Sequence, residues 1–279
     1  MTEPGLSEQS GNSQVATGKV AAEDSESITI DKVPWSRLAP EFAQIWGNAD
    51  PGDPQPEHME VLGMTRSGKT LFVCKAVQER MIIRKTPCVF IQTKPDDRTI
   101  LKLGWPVITD GDTRRVRREM WSIYWPMTNK TGRARKDYQR DKIQALLDSL
   151  WHKDSNTIVV FDDFGYTQSL GEDIRQTTEM YLREGASSGI TNVMIKQRPQ
   201  RATREMHSET SWTVSFVPKD RQDQERFAEL YGRKQDWMPV FDQMDPDNHE
   251  FLIKHVRSRA VYISWIDEPL TAIKRPERR

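Results

Sequence analysis

Short apolar runs recur along the chain at Met59-Glu60-Val61-Leu62, Cys88-Val89-Phe90-Ile91-Gln92, Pro106-Val107-Ile108, residues 120–125, Ile158-Val159-Val160-Phe161, residues 190–196 and residues 212–217. Runs of this length without polar alternation predict strands buried on both faces, as in a parallel sheet. Between them the period changes. Leu71, Val73, Cys74, Val77 and Met81 fall close to one helical face, as do Tyr138, Ile143, Leu146, Leu147, Leu150 and Trp151. Further helices are expected over residues 172–185 and 222–231. Strands alternating with amphipathic helices predict an α/β domain, a mostly parallel sheet with helices on both faces. Upstream, Trp35, Leu38, Phe42 and Trp46 recur at helical spacing before the Pro, Gly and Asp of residues 48–56 break the pattern. That helix packs on the main domain, or offers Trp46 as a stacking surface for a nucleobase. Residues 250–253 and 260–265 predict a C-terminal β-hairpin. The expected organisation is a disordered tail over 1–33, a helix and linker over 34–58, the α/β domain over 59–270 and a basic tail over 271–279.

Charge changes this picture little. The 279 residues sum to a formal net charge of +0, so no overall field draws the chain to nucleic acid or membrane. Local patches still count, and Arg114, Arg115, Arg117 and Arg118 crowd into residues 114–118 as a solvated turn, a helix face or a phosphate-contacting patch. The two cysteines, Cys74 and Cys88, lie in apolar segments and suggest no disulfide or metal site, and the five histidines show no ligand spacing. No apolar run approaches the ~20 residues of a membrane span, and the start of the chain lacks a secretory pattern. An intracellular protein is expected, in the cytoplasm or, if viral, in the host cytoplasm or with the virion.

Candidate chemistry begins directly after the first strand, at Gly63-Met64-Thr65-Arg66-Ser67-Gly68-Lys69-Thr70. This is a complete G-x-x-x-x-G-K-[ST] phosphate-binding loop between a strand and a helix. Its glycines let the backbone curl until several N–H groups face one anion. Lys69 reaches the β- and γ-phosphates of ATP, Thr70 offers a hydroxyl to Mg²⁺, and the helix that starts here presents its positive end. A second stretch, Thr157 through Asp163, is a β-branched strand ending in two carboxylates, the form of a Walker B element. There Asp162 serves the Mg²⁺ shell and Asp163 polarises the attacking water. A third strand, residues 190–196, ends on Gln197 and aims an amide at the same sheet edge. Ligands of open α/β sheets bind at that carboxyl edge.

Four elements in this order, Gly63 to Thr70, the strand ending Asp162-Asp163, Leu182-Arg183-Glu184-Gly185 before Gly189-Ile190, and Lys196-Gln197-Arg198-Pro199, resemble the FtsK/HerA superfamily of P-loop ATPases. That superfamily includes DNA translocases, conjugative and pilus ATPases and viral genome-packaging ATPases. The likeness spans roughly residues 59–231, and the Gln-Arg-Pro with the preceding Arg-Glu-Gly points to this branch. It implies a RecA-like core in which the strand bearing Gln197 lies between the phosphate-loop strand and the Walker B strand, with Gln197 sensing the γ-phosphate. It also implies a ring, hexameric or pentameric, whose site is completed by a neighbour's arginine. Arg183 matches that finger best by position; Arg198, Arg201 and Arg204 are its rivals, and for Arg183 a helix-surface pair with Glu179 is the alternative. Two departures stand out: Asp163 replaces the usual Glu, and Arg66 stands where Thr-Gly-Ser is common.

The resemblance implies an ATP-hydrolysing ring motor that translocates double-stranded DNA without reading sequence, of the phage or viral genome-packaging type. A portal, capsid or membrane-vertex protein would then be its docking partner. The alternative is a nucleotide-dependent assembly, export or conjugation-type ATPase acting on a protein. A nucleotide kinase fits less well, because the acid pair suits water activation better than a phosphate acceptor.

Overall fold

The computed structural model describes residues 28–47, 57–94, 97–197, 207–218 and 220–272. Its centre is a ten-stranded sheet. In chain order the strands are β1 (Lys32–Pro34), β2 (His58–Leu62), β3 (Cys88–Ile91), β4 (Val107–Ile108), β5 (Trp121–Tyr124), β6 (Ile158–Phe161), β7 (Thr191–Lys196), β8 (Thr210–Phe216), β9 (Phe251–His255) and β10 (Val261–Trp265). They lie in the order β1-β10-β9-β8-β2-β7-β6-β3-β5-β4. Every neighbouring pair is parallel except those of β9, which runs against both β8 and β10. The strand leading to Gln197 does separate the phosphate-loop strand from the Asp162-Asp163 strand, as the resemblance implies.

The α-helices are α1 (Trp35–Gly47), α2 (Lys69–Arg84), α3 (Arg98–Leu101), α4 (Thr113–Arg118), α5 (Gly132–Leu150), α6 (Phe164–Gln168), α7 (Glu172–Glu184), α8 (Arg221–Tyr231) and α9 (Lys234–Asp242). The apolar runs are continuous because the strands feed two faces at once. In β6, Ile158 and Val160 join one core with Phe72, Val73 and Val77 of α2, while Val159 and Phe161 join another with Ile143, Leu146 and Leu147 of α5. A third cluster packs α8 and α9 against β9 and β10 through Phe227, Phe241, Leu252 and Ile263.

Several expectations need correction. The segment 28–33 is part of the fold: Ile30 is buried, β1 pairs with β10, and Lys32 bonds Glu250 at 2.8 Å. Residues 1–27 and 273–279, which hold most of both expected tails, lie outside the described residues. Thr271, assigned to the basic tail, accepts a hydrogen bond from Gln78 on α2. The terminal hairpin forms as expected, and because β9 pairs with β8 it continues the main sheet. The helix of Trp35, Leu38, Phe42 and Trp46 packs in the main core, and Trp46 is not a nucleobase platform. It is 2% exposed, lies against Phe42 and sits under the Arg80 guanidinium at 4.7 Å. The arginine-rich stretch is the helix α4, capped by Asp112, whose carboxylate accepts from the N–H groups of Arg114 and Arg115.

Candidate nucleotide site

β2 ends at Leu62 and the chain turns at once through Gly63 to the first residue of α2, Lys69. Gly63 has φ +152° and Gly68 has φ +102°. A Cβ on Gly63 would meet Phe216 Cβ at 2.8 Å and Ser67 Oγ at 2.9 Å, and one on Gly68 would meet the Phe216 ring at 3.3 Å. These two positions therefore need glycine for space as well as for backbone freedom. Arg66 also has positive φ, +67°, so the loop keeps there the conformation that a glycine would take without strain. Met64, Thr65 and Arg66 are exposed at the rim, whereas Ser67 is half-buried and its hydroxyl has no partner among the described residues. Lys69 is buried and folds its ammonium back onto the carbonyl of Met64 at 2.5 Å. Burial pushes its pKa down to about 8, with the nearby Lys94 charge acting the same way and Asp162 and Asp163 opposing.

Neighbouring strand ends bring in the rest. Thr70, one residue into α2, donates to Asp162 Oδ1 at 3.4 Å. The other Asp162 oxygen, Oδ2, lies 2.8 Å from the ammonium of Lys94, which follows β3. Burial raises the Asp162 pKa, and the Lys94 ammonium pulls the other way. Asp163 is the N-cap of α6: its Oδ1 accepts from the N–H of Tyr166 at 3.0 Å, while Oδ2 accepts from Gln197 Nε2 at 3.3 Å. The structure thus brings Lys69, Thr70, Asp162, Asp163 and Gln197 to one edge of the sheet.

The paired hydroxyl and carboxylate oxygens of Thr70 and Asp162 are hard donors of the kind Mg²⁺ takes, with a cation already drawn to the far side of the carboxylate. The residues fit a Mg²⁺-nucleotide. Thr70 and Asp162 would hold the ion, which would supply neutralisation of phosphate charge.

Arg183 is elsewhere. It is exposed near the end of α7, and the carbonyl of its neighbour Leu182 bonds His58 at the start of β2, the end opposite Gly63. It cannot complete the site of its own chain. Glu179, the surface partner considered for Arg183, is bonded by Arg175 at 2.8 Å. The rivals Arg198, Arg201 and Arg204 lie outside the described residues.

Two residues near the loop escaped sequence reasoning. Phe216, at the end of β8, forms the floor beneath both loop glycines, a contact set only by strand order. Lys94 carried one usable signal, a lysine just beyond the carboxyl end of a buried strand; which strand it would neighbour was invisible. A wide groove of about 1090 Å³, lined by Lys85, Cys88, Val116, Met120 and Trp151, lies at the amino ends of β3, β5 and β6 and is remote from this chemistry.

No family model and no curated protein matches the chain. Solved structures do. The genome-packaging NTPase B204 of Sulfolobus turreted icosahedral virus 2, in complex with sulfate, aligns with TM-score 0.55 at 10% identity, over 79% of this chain and 100% of its own. B204 of Sulfolobus turreted icosahedral virus, a DNA-packaging ATPase, gives 0.54 at 13% identity, over 76% and 98%. The virus 2 protein in complex with ATP-gammaS gives 0.53 at 11% identity, over 75% and 96%. At such identities the likeness establishes architecture: this chain has the α/β fold of those packaging ATPases.

Proposed function

We propose that the chain is an ATP-hydrolysing motor of the FtsK/HerA type that moves double-stranded DNA, working as a hexameric or pentameric ring in genome packaging. One observation carries the hydrolytic part: Asp163 and Gln197, from separate strand ends, meet at 3.3 Å beside the Lys69-Thr70-Asp162 cluster. In this reading Lys69 binds the β- and γ-phosphates, Asp163 orients and deprotonates water, and Gln197 reports the γ-phosphate to the strand that bears it. Asp163 is shorter than Glu by one methylene. The Tyr166 cap and the Gln197 amide fix its two oxygens and so compensate in position for what it lacks in reach.

The exposed place of Arg183, remote from its own phosphate loop, supports a role toward a neighbouring subunit. A finger supplied that way is worth about 10³–10⁵ in rate in other P-loop enzymes, so isolated protomers should hydrolyse slowly. DNA binding is supported by cations. Arg114, Arg115, Arg117 and Arg118 of α4 are exposed, as are Lys130, Arg133 and Lys136 around the start of α5. Contacts of this kind track phosphates and weaken steeply with salt. ATP hydrolysis should rise on adding duplex of arbitrary sequence, the stimulation should fade between low and moderate salt, and Lys69→Ala should abolish hydrolysis. ATPase activity indifferent to duplex at every salt concentration would refute the motor and leave the reading of a protein-directed ATPase.

A further inference from the structure

The β3–β6 register pairs Ile91 with Phe161, so its continuation sets Gln92 beside Asp162. Side chains alternate along an extended chain, and residue 94 returns to the face of Gln92 and Asp162. This is the face covered by α2, because Phe90 and Val160 share a core with Phe72 and Val73. Lys94 therefore enters the space above the phosphate loop from the strand on the far side of Asp162. Its ammonium stands 2.8 Å from Oδ2, while Oδ1 faces the Thr70 hydroxyl at 3.4 Å. One buried carboxylate thus presents one oxygen to the expected cation position and the other to a lysine.

The Lys94 side chain is 36% exposed, whereas that of Asp162 is 0% exposed. An ammonium held by a buried acid at its base and open to solvent beyond is placed to meet a second anion. The surroundings also look short of a ligand: Gln92 is 1% exposed with neither amide atom partnered among the described residues, and the same holds for the hydroxyl of Ser67. Buried polar groups in native folds are overwhelmingly satisfied, so an orphaned Gln92 beside Asp162 and an orphaned Ser67 hydroxyl in the loop point to a polar occupant. The Lys69 and Lys94 charges oppose each other, with Asp162 offsetting part of that repulsion; a polyphosphate between the two ammonium groups turns it into attraction on both sides.

We propose that Lys94 is a second phosphate-binding lysine of this site, supplied by the same chain: anchored on Asp162, it contacts the terminal phosphate of a bound nucleoside triphosphate and so discriminates triphosphate from diphosphate. The inference rests on reading the site as an ATP site. A lysine that only neutralised Asp162 would instead influence Mg²⁺ binding equally with either nucleotide.

The test is equilibrium titration of the full chain with fluorescent mant-ATP and mant-ADP, each with and without Mg²⁺, for wild type, Lys94→Gln, Lys94→Arg and Lys69→Ala. Lys94→Gln should weaken mant-ATP on the order of tenfold or more, the worth of a charge-assisted hydrogen bond, and mant-ADP by less than about twofold. Lys94→Arg should recover most of the loss. Equal weakening of both nucleotides, or of neither, overturns the proposal while tight wild-type binding lost in Lys69→Ala keeps the ATP site standing. Failure of the wild type to bind either nucleotide overturns both. Thermal melts of each variant separate loss of a contact from loss of the fold.

Discussion

At the residue scale, the buried polar side chains make the sharpest statements. His58 opens β2 and is 3% exposed. Its Nδ1 accepts from the N–H of Asn192 at 3.0 Å, so its Nε2–H donates to the carbonyl of Leu182 at 3.1 Å. Only the neutral ring satisfies both neighbours, because a proton on Nδ1 would face another N–H. Burial, with the Arg80 charge adding to it, lowers its pKa to about 4. The unfolded chain binds a proton near pH 6.5 that the folded chain refuses until about pH 4, so stability falls as pH drops through that window. At 1.36 kcal/mol per unit the loss amounts to about 3 kcal/mol. Urea midpoints measured from pH 7 to pH 4 should show this slope, and His58→Gln should flatten it. A slope unchanged in the variant would assign the acid sensitivity elsewhere. Glu60 titrates below that window: held by Lys196 and His207 against the cost of full burial, it has a pKa lowered to about 2. No sequence pattern announced either group, because each owes its role to strands far away in the chain.

At the scale of elements, the phosphate loop is only as good as the strand beneath it. Phe216 ends β8, packs against Phe251 of β9 with ring centroids 5.2 Å apart, and supplies the surface on which Gly63 and Gly68 lie. Phe216→Ala should cost about 3–5 kcal/mol for the cavity and should also loosen the loop, weakening nucleotide binding; Phe216→Leu should fall between. Denaturation and nucleotide titration on the same samples check this, and a large stability loss with unaltered affinity would show that the loop holds its shape unaided. The strand over residues 212–217 was legible from its apolar run, as were β2, β3, β6, β7 and most helices, because their residues satisfy local rules of period and capping. β1 and α9 were not. β1 is three residues long with little pattern, and Pro239 inside α9 reads as a breaker. The pairing of β9 with β8 was equally hidden, since a hairpin seen in sequence does not say which edge it extends. Within the site, the phosphate loop, Asp162, Asp163 and Gln197 were legible because motifs compress a geometry into spacing. Lys94 and Phe216 belong to no such spacing.

At the scale of the whole molecule, the sheet divides the labour of its two sides. The strands from β2 to β3 carry the candidate nucleotide-site residues on their carboxyl ends, while β1, β10 and β9 extend the sheet beyond β8 without contributing a candidate. β1 is parallel to β10 and separated from β2 by three strands. Its anchoring is nonetheless specific: Ile30 is buried, the carbonyl of Ile28 accepts from Gln243, and the N–H of Ile263 donates to the carbonyl of Asp31 at 3.0 Å. The Lys32–Glu250 ion pair adds little, because Lys32 is 40% exposed and screened. Two truncations separate fold from chemistry. A chain starting at residue 28 keeps every one of these contacts and should melt with the full chain. A chain starting at residue 35 loses them and uncovers β10, which should cost about 2–3 kcal/mol, dominated by the burial of Ile30 and partial burial of Val33. For a domain of this size that lowers Tm by roughly 5–10 °C. Nucleotide affinity measured well below the melting point should be the same in both, since the loop, its Phe216 floor and the acids lie across the intervening strands. A shorter chain that stays folded but binds ATP poorly would mean that the far edge of the sheet reaches the site through β9 and β8.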